Sequence, residues 1–311
     1  MGMLDRVLTR RSLLLAVLVT VLGLVGLARH RETRATERVV DRLLDEGAAN
    51  EQRRDGTDAR VDLPEPVQQY FETAFSGDPH RPRSVRIEQE GTLRVGGPES
   101  SWKPFTATHH ATVHSPGFVW NATVTFAPFV SVRVRDAFVG GEGSARVALF
   151  GALPLGGETG SPELNEAALQ RYLAEAVWYP AALRPENGVS WEGIDEQTAR
   201  ATLEAGKTTA SLTFHFSTAD GDGDETVVER VHTERRYRAV GDGFEPTPWT
   251  GLWREYEERD GRRVPTEGEV VWHLDEGDLH AWRGRVSEVE YRRERGHRRA
   301  WRFDSRLPPP E

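Results

Sequence analysis

Strict alternation of apolar and polar residues recurs along this chain from Ser84 onward and limits its fold more than any other feature. In Val130–Arg135, Val130, Val132 and Val134 alternate with Ser131, Arg133 and Arg135. Leu212, Phe214 and Phe216 alternate with Ser211, Thr213, His215 and Ser217, and Val270, Trp272 and Leu274 share one face. A period of two sends successive side chains to opposite faces, so each segment reads as a strand with one buried face. Turn signals separate the segments: Gly96-Gly97-Pro98, Ser115-Pro116-Gly117, Gly140-Gly141, Asp260-Gly261 and Glu276-Gly277. About ten strands joined by short turns predict a large antiparallel sheet. The expected fold class is mainly β (α+β): a large curved antiparallel sheet or half-barrel closed by one or two helices, plus an N-terminal transmembrane helix.

Two helical patterns interrupt or precede the strands. Leu63-Pro64-Glu65-Pro66 opens a short helix over Val67–Phe75, because proline suits a first helical turn, where its missing N–H has no partner anyway. Ser161-Pro162-Glu163 is a second capped start, for a helix expected to run to Tyr179 and stop at Pro180. Its Leu164, Ala168, Leu169, Tyr172, Leu173 and Ala176 form one apolar arc, which predicts a helix plugging the concave side of the sheet.

The N-terminal helix rests on a different signal. Arg6, Arg10 and Arg11 precede an uncharged apolar run from Ser12 to Ala28. The run is at the short end of the roughly 17–25 residues that span a hydrocarbon core. It is slightly long for the apolar region of a cleaved signal, about 7–15 residues. Thr9-Arg10-Arg11-Ser12-Leu13-Leu14 fits a twin-arginine export pattern, and Gly26-Leu27-Ala28 offers a small-x-small cleavage triplet. An uncleaved anchor is favoured over a cleaved signal. The twin-arginine pattern places the body outside the cytoplasm; the arginines at 29, 31, 34, 38 and 42 argue the other way. The expected division is a basic head at 1–11, an anchor at 12–28 that contacts the lipid bilayer, a juxtamembrane helix and linker at 29–62, a β-rich domain at 63–305 and a disordered tail at 306–311. The expected address is the cytoplasmic membrane, single-pass, with an extracytoplasmic body.

With no cysteine, neither a disulfide nor a lipid-modified N-terminal Cys is available, so packing must carry the fold; nine Trp and twelve Phe supply it. A net charge of −9 argues against nucleic acid as a partner, since phosphate binding needs a basic patch.

Motifs that suggest chemistry fail on their context. Ala201–Thr208 loosely matches a phosphate loop, but a strand follows where a helix is required, so Ala205-Gly206 reads as a hairpin turn. Asp220–Asp224 lacks the glycine and glutamate that a calcium loop needs at its sixth and twelfth positions, and reads as an acidic hairpin tip. His110 and His114 on one strand face stand about 13 Å apart, too far to share a zinc ion about 2 Å from each. Asn121-Ala122-Thr123 is a glycosylation sequon, but it sits in an expected strand rather than a loop. No serine nucleophile elbow, Cys/His pair or intact glycine-rich phosphate loop occurs, so no catalytic residue, cofactor or metal is expected.

Glu175 falls at the edge of the apolar helical arc, where it is either a perturbed acid at a site or the ion-pair partner of Arg171, Arg133 or Arg135. The tryptophans are core, pocket lining, or both. The candidate ligand-binding residues are Trp102, Lys103, Phe118, Trp120, Arg133, Tyr172, Glu175, Trp178, Trp249 and Trp272. Glu175, Arg133 or Lys103 would orient a head group. The expected function is membrane-tethered binding of a lipid or other apolar ligand, without catalysis. The rival is a structural or interaction domain with a filled core.

Several segments carry a resemblance: Trp102–Ala107, Pro116–Trp120, Arg133–Asp136, Arg171–Pro180, Pro246–Trp249, and Val264–Gly268 followed by Trp272. Over roughly Leu63–Tyr291 the chain resembles a family of uncharacterised bacterial and archaeal proteins with a domain of unknown function, often behind a membrane segment. The resemblance brings no activity with it. In the order of its elements the chain is also similar to periplasmic lipoprotein carriers. That likeness implies a curved antiparallel half-barrel closed by helices over an apolar cavity.

Overall fold

The computed structural model describes residues 4–54, 62–75, 82–219 and 225–292; within the first helix, side chains are described at 20 and 23–49. The elements are α1 (Leu4–Arg54), α2 (Glu65–Ala74), β1 (Ser84–Arg94), β2 (Trp102–Thr112), β3 (Gly117–Ala127), β4 (Val130–Val139), β5 (Glu142–Leu149) and β6 (Leu153–Thr159). There follow α3 (Pro162–Glu175), β7 (Val189–Asp195), β8 (Thr198–Ala205), β9 (Thr208–Thr218), β10 (Thr226–Val240), β11 (Gly243–Arg259), β12 (Arg262–Leu274) and β13 (Gly277–Arg292). Three 3-10 turns lie between α3 and β7.

All thirteen strands belong to one sheet in the order β6-β5-β4-β3-β2-β1-β13-β12-β11-β10-β9-β8-β7. Every pairing is antiparallel. The chain thus runs out along one half of the sheet, crosses through α3, and returns along the other half. Helix α3 packs against β3, β4 and β5 on one side and β9 and β10 on the other, so it bridges the two limbs of a curled half-barrel.

Register explains where the sheet bends. Gly91 on β1 pairs with Gly284 on β13, which pairs with Gly268 on β12. A Cβ on Gly284 would stand 2.2 Å from the Trp282 ring, and one on Gly268 would stand 2.8 Å from the Trp253 ring. The row therefore lets backbones curl inward while indole rings lie flat over the missing side chains.

The concave core sits beneath the helices. Tyr172, Leu173, Trp178, Tyr179 and Leu183 from the α3 segment meet Ile87, Phe118 and Phe138 from the sheet, all almost fully buried. Tyr172 donates to the Thr112 carbonyl, Tyr179 to the Tyr172 carbonyl and Tyr291 to the Trp178 carbonyl. On the convex face Val40 and Leu43 of α1 form a separate cluster with Val119, Ala137 and Val139.

The structure amends several expectations. There are thirteen strands rather than about ten: β6 and β7 carry little alternation, whereas β8 does alternate, with Ala199, Ala201 and Leu203 inward. The helix from Ser161 ends at Glu175, and Trp178 lies in a 3-10 turn, since Pro180 and Pro185 each begin a further such turn. Helix α1 continues to Arg54, deep into the stretch 29–62 expected to divide into a helix and a linker. Among the described residues, no helix is long and apolar enough to cross a membrane. Most side chains of the expected 12–28 anchor lie outside the described residues, as do the acidic tip Asp220–Asp224 and the tail at 306–311.

Candidate functional site

Side chains that point into the half-barrel can be read row by row from the register. Near the fully buried floor, Phe118, Ala111, Val85 and Tyr291 lie in one row. The next holds Asp136, Trp120, His109 and Ile87. Two rows further along comes the glycine row, and beyond it lie Lys103, Leu93, Trp282 and Val270. The floor rows are covered by α3 and the 3-10 turns. The outermost row is not covered: Leu93, Lys103, Trp282 and Val270, with Phe126, Val134 and Trp272 nearby, are only half-buried although all face inward. The half-barrel is therefore plugged at one end and forms an aromatic bowl toward the other.

A polar cluster lies at the bottom of the bowl. Arg171 on α3 donates from Nε to Glu175 Oε1 and from Nη1 to Asp136 Oδ2, both at 2.8 Å. Its guanidinium also stacks on Phe118 and Trp120. Arg236 from β10 donates to the Ala167 carbonyl and lies over Trp249 and Trp272. His109 Nδ1 is 3.6 Å from Glu175 Oε2, too far for a hydrogen bond, and its ring stacks on Phe118 and Tyr179.

Burial sets the protonation of this cluster. It raises the carboxyls of Glu175 and Asp136 above their ordinary range against the pull of Arg171. Burial works against the Arg171 charge, yet Glu175 and Asp136 together hold that guanidinium above its ordinary value. Arg236, buried and facing Arg171, is lowered to about 10. His109 is driven well below its ordinary value by burial and then by Arg171, so the imidazole is neutral. Two arginines thus face two carboxyl groups on the floor. Nε of Arg236 and Nε1 of Trp249 make no hydrogen bond to the described residues.

The ten residues singled out from sequence divide three ways. Phe118, Trp120, Tyr172, Trp178 and Trp249 are concave but packed solid, at most 4% exposed. Lys103, Glu175 and Trp272 reach the bowl, Lys103 with its ammonium 5.7 Å from the Phe126 ring centre. Trp102 and Arg133 are on the opposite face. Trp102 lies between Arg94 and Arg283 on the convex side, and Arg133 donates to Thr33 of α1. Strand parity places them there, one residue out of phase with the inward rows, so neither can orient a ligand in the bowl. The ten residues leave out Leu93, Phe126 and Trp282, which share the inward face, although the parity of Lys103 already implied Leu93 once the β1–β2 register was known.

The convex face has its own depression of about 760 Å³ over the glycine row, lined by Glu90, Thr106, Arg254, Glu269, Arg283 and Arg285 among others. Its walls are ion pairs: Glu269 accepts from Arg283 and His280 and pairs with Arg254. It is not an apolar pocket.

A family model described as a family of unknown function, DUF6920, matches residues 61–291. No curated protein matches the chain. Among solved structures the chain is similar to a LolA superfamily protein from Nitrosomonas europaea, at 11% identity and a TM-score of 0.38, over 75% of this chain and 94% of that one. It is also similar to a beta-barrel-like protein of domain of unknown function DUF1849 from Brucella abortus, at 11% identity and a TM-score of 0.26, over 68% of this chain and 99% of that one. The unknown-function family expected from sequence is found. At these TM-scores the structural likenesses carry no weight for function.

Proposed function

The chain belongs to the family of unknown function DUF6920, and we propose that it is a membrane-tethered binding protein that holds an apolar, lipid-like ligand in the bowl of its half-barrel. One observation carries the reading. Leu93, Phe126, Val134, Val270, Trp272 and Trp282 point inward and stay half-exposed, where a sheet built only to pack would cover them. Apolar lining with a few placed polar groups is the usual makeup of a small-molecule site. The aromatic wall takes the apolar body of the ligand, and Lys103 at the mouth takes an acidic head group. The apolar run at 12–28 supports the tether, and the twin-arginine pattern supports an extracytoplasmic body at the cytoplasmic membrane.

A second reading, an interaction domain with a filled core, draws on the solid packing of Phe118, Trp120, Tyr172, Trp178 and Trp249. Native mass spectrometry with lipid extraction on the full chain, followed by titration with a fluorescent fatty acid, separates the two. A stoichiometric co-purified lipid, or saturable uptake weakened by Trp282→Ala, supports the bowl as a binding site. A clean apo mass with no uptake rejects the ligand and leaves the interaction domain.

A further inference from the structure

The turns at the open end of β1–β6 carry an unusual set of side chains. Phe129 closes the β3–β4 turn and is 99% exposed; Phe150 begins the β5–β6 turn and is also exposed. Both adopt left-handed backbone, φ 64° and 54°, a region that a bulky residue rarely enters. Val95 in the β1–β2 turn and Leu153 and Leu155 at the start of the edge strand β6 are exposed at the same end. Aromatic turn tips in strained backbone and exposed leucines on an open edge are what a water-facing rim avoids.

Helix α1 shows what they face. It lies along the convex side of β4 in the same direction as the strand: Arg133 donates to Thr33 and Arg135 to Thr36, and Leu43 packs deeper, against Val119, Ala137 and Val139. Upstream of Thr33 the helix therefore travels toward the Phe129 turn. Leu24 and Leu27 on that stretch are exposed, 62% and 49%. The apolar run 12–28, about 25 Å of helix, thus leaves the body at the end where Phe129, Phe150, Leu153 and Leu155 project. Arg29, Arg31 and Arg34 follow immediately, a basic collar at the level where anionic head groups would begin.

We propose that this rim is a lipid-docking surface: the β1–β2, β3–β4 and β5–β6 turns sit in the head-group layer beside the apolar segment of α1, with the bowl opening toward the bilayer. The acidic β12–β13 turn, with Asp275, Glu276 and Asp278, tilts away from anionic lipid, so contact falls on the β3–β6 side. The inference rests on the tethering part of the proposed function and not on the ligand.

The absence of cysteine makes the test clean. Full-length single-cysteine variants Phe129→Cys and Leu155→Cys, with Glu142→Cys at the opposite end of β5 as control, are labelled with an environment-sensitive fluorophore. They are reconstituted in phosphatidylethanolamine/phosphatidylglycerol vesicles. Docking predicts a blue shift and several-fold stronger quenching by doxyl-labelled lipid at 129 and 155 than at 142. Chain that fails to float with vesicles overturns both tether and docking. Chain that floats with labels at 129 and 155 as water-exposed as at 142 overturns docking alone. Labels shielded from water but untouched by doxyl lipid mean a second copy or another protein covers the rim, and also overturn it.

Discussion

Nη1 of Arg171 lies 2.8 Å from Oδ2 of Asp136, and this ion pair is the polar seam between the crossover helix and the sheet it closes. Arg171 also holds Glu175, so one guanidinium serves two carboxylates whose own burial disfavours their charge. Removing it strands both. Breaking a buried pair from one side costs about 3–5 kcal/mol, and the lower figure applies because the Asp136 side chain is 33% exposed. Arg171→Ala should therefore lose about 3 kcal/mol in urea unfolding. A loss under about 1 kcal/mol would show that the seam is ornamental to stability.

Acid should weaken the protein through its buried imidazoles. His109 is held well below its ordinary value of 6.5, and His110 is lowered to about 3, by burial first in both cases. Each binds fewer protons folded than unfolded. Their contribution is thus complete above pH 6.5 and is lost as pH falls toward the folded values. The slope is about 1.4 kcal/mol per pH unit for each group. Glu175 and Asp136 act with the opposite sign: their raised values favour the protonated fold, so their contribution is full in acid and declines as pH rises through them. His109→Phe, stacked between Phe118 and Tyr179, should flatten the limb below pH 6.5 by one such increment. An unchanged slope of stability against pH would remove His109 from the account.

The glycine row should tolerate no side chain. A Cβ at Gly284 meets the Trp282 ring at 2.2 Å, so Gly284→Ala must displace the indole or straighten β13. Overpacking of this kind costs about 1–3 kcal/mol. If the clash is with the ring alone, Gly284→Ala in a Trp282→Ala background should cost much less than in the native chain. Equal costs in both backgrounds would place the strain in the backbone, beside the Arg283 carbonyl that crowds Gly91.

The convex docking of α1 is also testable. Leu43 is 2% exposed, wedged against Val119 and Ala137. Leu43→Ala should cost about 2–5 kcal/mol if the helix unfolds cooperatively with the sheet. Loss of helical signal ahead of the sheet transition would instead make α1 a separately melting arm.

The fold was largely legible because alternation survives wherever one face is buried. Leu212, Phe214 and Phe216 read correctly as a strand, and all three are in the core. Strand β6 was not legible: all seven of its residues are exposed, so burial imposed no pattern on them. The site was legible only by residue type. A list of tryptophans cannot separate Trp282, half-open over a glycine, from Trp178, buried where its 3-10 turn packs onto the sheet. Nor can it show that Trp102 falls one residue out of phase and faces outward. That distinction needs strand register, which depends on pairing partners far apart in the chain, such as Leu93 with Trp282. The Arg171–Glu175 pair was foreseeable from its spacing of four on a helix. Asp136 and Arg236 were not, since they reach the cluster from strands on opposite limbs.

Lys103 gives the sharpest handle on the proposed ligand. It is one of only two lysines, it faces inward on the outermost row of the bowl, and its ammonium rests 5.7 Å from the Phe126 ring centre. Deeper in the bowl Arg171 is already held by Asp136 and Glu175, and Arg236 is stacked over Trp249 and Trp272. An acidic head group at the mouth would therefore find its counter-charge in Lys103, while the apolar body lies against Leu93, Trp272 and Trp282. Lys103→Gln keeps the stem that packs on Phe126 and removes the charge. Affinity for a fluorescent fatty acid should fall about tenfold, close to 1.4 kcal/mol, while affinity for the matching fatty alcohol stays unchanged. Equal losses for acid and alcohol would mean that Lys103 supports the wall rather than the head group. If neither ligand responds to the substitution, the acidic end lies elsewhere, and Arg236 with the free Nε1 of Trp249 becomes the place to look.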